Sequence, residues 1–336
     1  MVIEMDVLKY LEECAALVEP EIDRWVPREI QPEVLAKAMR HLIEAGGKRL
    51  RPCLALTACE AVGGKKEDAI ETAAALEMFH NFTLIHDDIM DHDEFRRNVK
   101  TVHVIWGEPI AIIAGDALFA KVFEAAAANA SRLKLNLERT LELFNTLSKA
   151  SFELCQGQAL DMLFESRDDV TEEEYMRMIS GKTGALTEAA AKAGALLGNA
   201  DGKKLQALAS YGRLIGVAFQ MQDDVLGVWG KQEKFGKPIG SDIREGKRTL
   251  IIVRALTTAS DEDRGVLLKA FGKSHATNEE IREAIGVLKR IGAIDYVAER
   301  ARKLVAEAKR KLEVLPDSRA KEALLGIADF VVEREF

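Results

Sequence analysis

The stretch "HNFTLIHDDIMDHDEFRRN", residues 80–98, sets carboxylates and arginines together at the end of an apolar run with helical spacing. At about 100° per residue, His80, Asp87 and Asp91 fall within about 40° of one another, and Asp88 lies about 60° from Asp91 on the same side. Three acids on one face repel one another at neutral pH, so they require a counter-charge or a raised carboxylate pKa. A divalent cation meets that requirement. Carboxylate oxygens are hard ligands suited to magnesium, which keeps waters and needs only one or two protein carboxylates where phosphates supply the rest. For an isolated acidic motif of this kind, a solvated helix end is the plainer reading.

A second acidic pair, Asp223 and Asp224 in "FQMQDDVLGVW", stands near the end of another apolar helix, with Gln220 on the same face. Two such helix ends facing each other across a pocket suggest several metal ions, because an unfilled cavity would bury uncompensated charge. Cations stand in the loops flanking both pairs: Lys48, Arg49 and Arg51 in "GGKRLRP", Arg96 and Arg97 after the first cluster, Lys182 in "GKTG", then Lys237 and Lys247. Each alone reads as a solvated surface charge. Grouped around acids and glycine-rich turns, they describe a site for phosphate groups. No Ser-His-Asp or Cys-His arrangement and no GxxxxGK[ST] loop competes with this reading, and His86, His92 and His103 read as structural polar residues.

The elements that must position these groups are helices. Ala, Leu, Glu, Lys and Met dominate, the seven prolines stand near expected helix ends, and strand alternation is nearly absent. The spacing predicts helices at about 5–19, 32–45, 51–61, 67–92, 109–129, 134–166, 172–180, 184–197, 203–229, 247–257, 261–270, 278–290, 293–313 and 318–334. Pro109 suits a helix start, and Thr171 with Glu174 has capping-box spacing. Loops are expected at "EAGGKRLRP", "GKTG" and "GKQEKFGKPIGSDIREGKRT". With no long linker, the expectation is a single all-α domain, 1–336, its motifs lying in about 30–260 and its amphipathic C-terminal helices in about 261–336.

Composition narrows the class of function. A chain of 336 residues with 48% hydrophobic content buries a large core, and a formal net charge of −8 argues against a general nucleic-acid binder. Four cysteines without a CxxC pair read as a reduced, cytoplasmic protein lacking structural zinc. The start "MVIEMDVLKY" carries Glu4 and Asp6 where a signal peptide wants basic residues. The most apolar window, "PIAIIAGDALFAKVFEAAAANA", is interrupted by Asp116, Lys121 and Glu124, so no transmembrane segment is expected.

From about residue 30 to about residue 260, the chain resembles the trans-isoprenyl diphosphate synthases, head-to-tail prenyltransferases that make geranyl, farnesyl, geranylgeranyl and longer diphosphates. The likeness is carried, in the family's order, by "GGKRLRP", "LIHDDIMD" with "RR" following, "AGDALFA", "GQALDM", "GKTGAL", "FQMQDDVLG" and "GKPIGSDIREGKRT". Any one motif is weak, whereas seven in order are specific. The resemblance implies an all-helical fold of the isoprenoid-synthase type with a deep central cavity, a magnesium-dependent reaction and a homodimer.

Carried over position by position, the resemblance gives Asp87 and Asp91 two magnesium ions bridging an allylic diphosphate, with Asp88 in support, and gives Asp223, beside Asp224, a third ion. It assigns Arg96, Lys182 and Lys237 to the grip on the allylic diphosphate, with Lys247 at its lid side. Lys48, Arg51, His80 and Arg97 match the isopentenyl diphosphate site. Thr183 and Gln220 match dipolar positions near the allylic carbon, where their oxygens would stabilise a cation. The implied reaction is ionisation of the allylic diphosphate, attack by the isopentenyl double bond, and proton removal by the released diphosphate.

Two departures stand out. The second acidic motif reads "DDVLG", with Gly227 where the family often has aspartate, and "RRN" puts Asn98 in place of the usual glycine, although asparagine tolerates left-handed backbone angles. In this family, product length is set upstream of the first acidic motif. Phe82 lies five residues before Asp87, roughly 7.5 Å along the helix, and the smaller Thr83 follows it. That pattern resembles archaeal geranylgeranyl-type synthases, so a twenty-carbon product is expected, with a farnesyl or longer product as the alternative. The rivals from other classes are a class I terpene cyclase and a non-catalytic helical partner subunit.

Overall fold

The helical periodicity becomes helices in the computed structural model, which describes residues 5–229 and 240–333. The chain forms two compact units. The first comprises Met1–Lys149, Leu186–Gly212 and Lys311–Ile327, and the second Ala150–Ala185, Arg213–Arg310 and Ala328–Phe336.

In the first unit, α1 (Val7–Trp25), α2 (Glu33–Glu44) and α3 (Leu50–Ala61) precede α4 (Ile70–Met90), the helix that carries the first acidic motif. Along α4, Thr72 to Phe79 are buried without a break, including Ala73, Ala74, Ala75 and Leu76. Its main neighbour is α6 (Glu108–Arg132), whose buried face of Ala111, Ala114, Leu118, Val122 and Ala125 recurs every three or four residues. Small residues on both helices let the backbones approach closely, and α4 is thereby held as a rigid rod ending at the acids. Between them lie α5 (Val102–Trp106) and a hairpin of β1 (Phe95–Arg96) and β2 (Val99–Lys100).

Three elements differ from expectation in this unit: α1, the hairpin, and α5, a short helix where the spacing predicts none. Helix α1 does not stop before Pro20 but continues to Trp25, because Cys14, Val18 and Ile22 extend one buried stripe across the proline. Burial of Ile22 offsets part of the roughly 3 kcal/mol that an interior proline costs. The hairpin was not foreseen, since strands of two residues show no alternation. It closes through Arg97 (φ 53) and Asn98 (φ 62), a left-handed pair of the type I′ kind, and Asn98 takes the angle its side chain tolerates.

The second unit holds the later part of α7 (Leu137–Phe164), α8 (Glu172–Ile179), the greater part of α10 (Gly202–Trp229), and α11 (Ser241–Glu245), α12 (Leu250–Thr258), α13 (Asp261–Ala270), α14 (Asn278–Arg290) and most of α15 (Ala293–Lys311). Thr171 and Glu174 cap α8 reciprocally, with Thr171 N donating to Glu174 Oε2 at 2.9 Å and Glu174 N to Thr171 Oγ1 at 3.2 Å. The expected loop at "GKTG" is instead a π-helical turn, Ser180–Gly184, joining α8 to α9 (Ala185–Leu197). Close contact with α7 favours this winding: a Cβ on Gly157 would meet Lys182 N at 2.1 Å, and one on Gly181 would meet Glu153 O at 2.6 Å. Only glycines fit where these backbones touch. Among the described residues, no helix is long and apolar enough to cross a membrane.

Candidate active site

In the first unit, Asp87 and Asp88 occupy the last turn of α4 and Asp91 is its C-terminal cap. Burial separates their roles. Asp88 is fully buried, whereas Asp87 and Asp91 are partly open. Burial pushes the Asp88 carboxyl up to about 6, although the Arg96 guanidinium beside it favours the charged form. Arg96 donates through Nε to Asp88 Oδ1, approaches Asp87 Oδ2 at 3.6 Å and reaches Asp93 Oδ2 at 3.4 Å. The other Asp88 oxygen, Oδ2, is buried without a hydrogen-bond partner among the described residues.

Arg97, next in the chain, goes elsewhere. The left-handed turn sends its guanidinium to the carbonyls of Leu42, at 2.8 Å, and Gly46. The same glycine turn carries Lys48, which is exposed, and leads to Arg51 in the first turn of α3. Arg49 is the structural member of this group: it is buried, donates to Glu77 Oε1 at 2.8 Å and to Ile43 O at 2.8 Å, and Glu77 also accepts from Asn81 at 3.0 Å. A buried ion pair satisfied by further hydrogen bonds fixes the turn. Burial, reinforced by the Arg51 and Arg97 guanidiniums, holds the His80 imidazole well below its usual pKa, so it is neutral at pH 7.

In the second unit, the π turn carries Lys182 and Thr183. Lys182 Nζ donates to Asp161 Oδ2 at 2.6 Å. Thr183 Oγ1 donates to Gln220 Oε1 at 2.9 Å, Gln220 Nε2 donates to Asp224 Oδ1 at 3.0 Å, and Tyr175 Oη donates to Asp224 Oδ2 at 2.5 Å. Asp224 is buried, which pushes its carboxyl up to about 7 against the lowering effect of the Tyr175 and Gln220 hydrogen bonds. Asp223, its neighbour, remains partly open. Gly227 faces Asp242: a Cβ there would come within 3.0 Å of Asp242 Oδ2. The missing aspartate of the second motif thus leaves room for a carboxylate from α11. Lys247 lies between α11 and α12, 3.3 Å from Glu245 Oε2. Lys237 lies outside the described residues.

Upstream of the first acids, Phe82 stacks into an aromatic series. Its ring centroid is 5.5 Å from Phe79, 4.9 Å from Phe119 and 5.2 Å from His86, and the series continues from Phe119 to Phe123 at 5.2 Å and on to Phe144 at 6.2 Å. Thr83 turns its hydroxyl back onto the His80 carbonyl at 2.8 Å. The His86 ring approaches Ile112 O at 3.1 Å, in keeping with a structural role.

The donor chemistry of both acidic ends fits a hard divalent cation. Among the described residues no group of three or more His, Cys, Asp or Glu is arranged to hold a metal alone. Such a set suits an ion that takes one or two carboxylates and gains its other ligands from water and phosphate. Residues that spacing did not single out are Tyr175, Asp161, Glu77 and Asp242. Asp161 lies inside the "GQALDM" motif, which was its signal, and Asp242 inside "GSDIREGKRT". Nothing in the sequence distinguished Tyr175 from a core aromatic.

The chain is similar to known proteins over nearly its whole length. The polyprenyl synthetase family model matches residues 32–288. A short chain isoprenyl diphosphate synthase of Methanothermobacter thermautotrophicus is 49% identical over 331 residues, 98% of this chain and 99% of that protein. The crystal structure of a geranylgeranyl pyrophosphate synthetase from Pyrococcus horikoshii superposes with a TM-score of 0.92 at 47% identity, covering 98% of this chain and 99% of that one. A polyprenyl synthase from Caulobacter crescentus, solved with calcium and isoprenyl diphosphate, gives a TM-score of 0.87 at 31% identity over 98% of both chains.

Proposed function

The chain belongs to the polyprenyl synthetase family, and from that premise we propose that it is a geranylgeranyl diphosphate synthase, condensing isopentenyl diphosphate with dimethylallyl, geranyl or farnesyl diphosphate. The carrying observation is the divergence of Arg96 and Arg97, one into the acids and the other onto the glycine turn beside Lys48 and Arg51. Two phosphate-binding neighbourhoods suit two diphosphate substrates, whereas a class I terpene cyclase needs one. A non-catalytic partner would have no need of either acidic end.

Asp87 and Asp91 would hold two magnesium ions and Asp223 a third. When bound, these ions neutralise the diphosphate and polarise its oxygens. Arg96, Lys182, Lys237 and Lys247 bind the allylic diphosphate as its charge grows on departure, and Lys48, Arg51, His80 and Arg97 bind the isopentenyl diphosphate. His80 is neutral and donates a hydrogen bond without adding charge. Thr183 and Gln220 turn oxygens toward the allylic cation and stabilise it without the nucleophilicity of a carboxylate. The isopentenyl double bond attacks that cation, and the released diphosphate takes the proton. The product grows toward Phe82, whose ring stops it at twenty carbons.

We place the reaction in the cytoplasm, in a single catalytic domain acting as a homodimer. Val104 and Ile105 on α5 and Ile112 and Ile113 on α6, two helices packed on each other, are large apolar residues left exposed, as are Leu137 and Leu141 on α7, which supports a second copy covering them. Incubation with magnesium, dimethylallyl diphosphate and isopentenyl diphosphate tests the function, with a chelator as control. A C20 diphosphate is expected. A cyclic hydrocarbon, or no turnover, overturns the reading.

A further inference from the structure

The geometry points to Tyr175 as a positioning residue for the allylic-cation site, acting through Asp224 on the amide of Gln220 and, through that amide, on the hydroxyl of Thr183. This rests on the reading that Gln220 and Thr183 stabilise the allylic cation. The relay runs in one direction: Tyr175 Oη donates to Asp224 Oδ2 at 2.5 Å, Gln220 Nε2 donates to Asp224 Oδ1 at 3.0 Å, and Thr183 Oγ1 donates to Gln220 Oε1 at 2.9 Å.

Each link removes a choice that the next group would otherwise have. In its ionised form Asp224 only accepts, so it selects the amide orientation that turns Nε2 toward Oδ1 and Oε1 away; the flipped amide would set oxygen against oxygen. Thr183 has one hydroxyl proton, and with that proton on Gln220 Oε1 any further interaction of its oxygen is as an acceptor. Both oxygens therefore present lone pairs rather than protons, which a cation requires. Asp224 anchors the relay only if its own carboxyl plane is fixed. Gln220, one helical turn earlier on α10, fixes one oxygen, and Tyr175, reaching from α8 and almost wholly buried, fixes the other.

The local fold explains why Tyr175 and Thr183 work together. Eight residues apart on an α-helix, they would stand about 80° apart. The π turn, Ser180–Gly184, winds more widely and brings Thr183 back toward the face that carries Tyr175.

Tyr175→Phe keeps the ring and removes only the hydroxyl. We expect kcat to fall about tenfold, with KM for both diphosphates within twofold of wild type. Adding Tyr175→Phe to Gln220→Ala should cause no further loss, because the relay is already cut, whereas a purely structural tyrosine would multiply the two effects. If Tyr175→Phe does not fold, Asp224→Asn takes its place in the same cycle with Gln220→Ala. An unchanged kcat in Tyr175→Phe, or multiplicative losses in the cycle, overturns the inference while leaving the synthase reading intact. A wild-type protein without condensation activity overturns that reading, and this inference with it.

Discussion

Arg96 and Arg97 are adjacent in the chain, yet Arg96 binds the carboxylates of Asp87, Asp88 and Asp93 while Arg97 binds the main-chain carbonyls of Leu42 and Gly46. The turn causes this, since Arg96 is the last residue of β1 whereas Arg97 is the first left-handed residue of the turn, so the chain changes direction between the two side chains.

That separation predicts separable kinetics. Arg96→Ala should lower kcat with the allylic substrate by roughly 100-fold, and Arg97→Ala should raise KM for isopentenyl diphosphate by roughly tenfold with a smaller change in kcat. Steady-state measurements varying each diphosphate in turn decide this. Equal effects on both substrates from both variants would contradict it.

Phe82 should set product length. Phe82→Ala removes the first ring of the series and should shift the main product from C20 to C25 or longer, read by chromatography of the dephosphorylated alcohols. The Phe119 ring, its centroid 4.9 Å from that of Phe82, remains beside the enlarged space, so Phe82→Ala/Phe119→Ala should extend products further. Each change should also cost about 3 kcal/mol of stability, the low end for Phe→Ala because both rings are half-buried. Unchanged products from the single variant would remove Phe82 from the account of length.

Gly227→Asp should impair the enzyme even though it restores the commoner form of the second acidic motif. Even a Cβ at that position lies 3.0 Å from Asp242 Oδ2, and a further carboxylate would crowd and repel it. We expect roughly tenfold lower turnover and a higher magnesium requirement, with Gly227→Ala intermediate. Tighter magnesium dependence in Gly227→Asp would show that the position tolerates the acid.

His80 should make folding stability pH-dependent. Its imidazole is held well below its ordinary pKa of about 6.5 in the folded protein, so below about pH 6.5 the unfolded chain binds a proton that the native one refuses. Stability contributed by neutral His80 is thus present above that pH and is lost as pH falls, by up to about 1.4 kcal/mol per pH unit. Thermal melts at pH 7.5 and 5.0 should show a larger drop for wild type than for His80→Gln. Equal drops would mean that the ring is free to charge in the native state.

The sequence alone determined the helical class, the two acidic helix ends and the family likeness, because these depend on spacing within one element. His80, Asp87 and Asp91 share a face by arithmetic of the helix, and a hydroxyl beside a lysine in "GKTG" is legible wherever the segment lies. Tertiary structure decided what spacing cannot express. The hairpin that divides Arg96 from Arg97 depends on two backbone angles rather than on a pattern. The π turn that replaces the expected loop depends on Gly157 and Gly181 meeting across two helices. Asp242 beside Gly227, and Tyr175 at the head of the hydrogen-bond relay, join residues 15 and 49 positions apart. Periodicity reports which side of an element is buried; which distant donor meets a buried carboxylate is settled only when the elements pack.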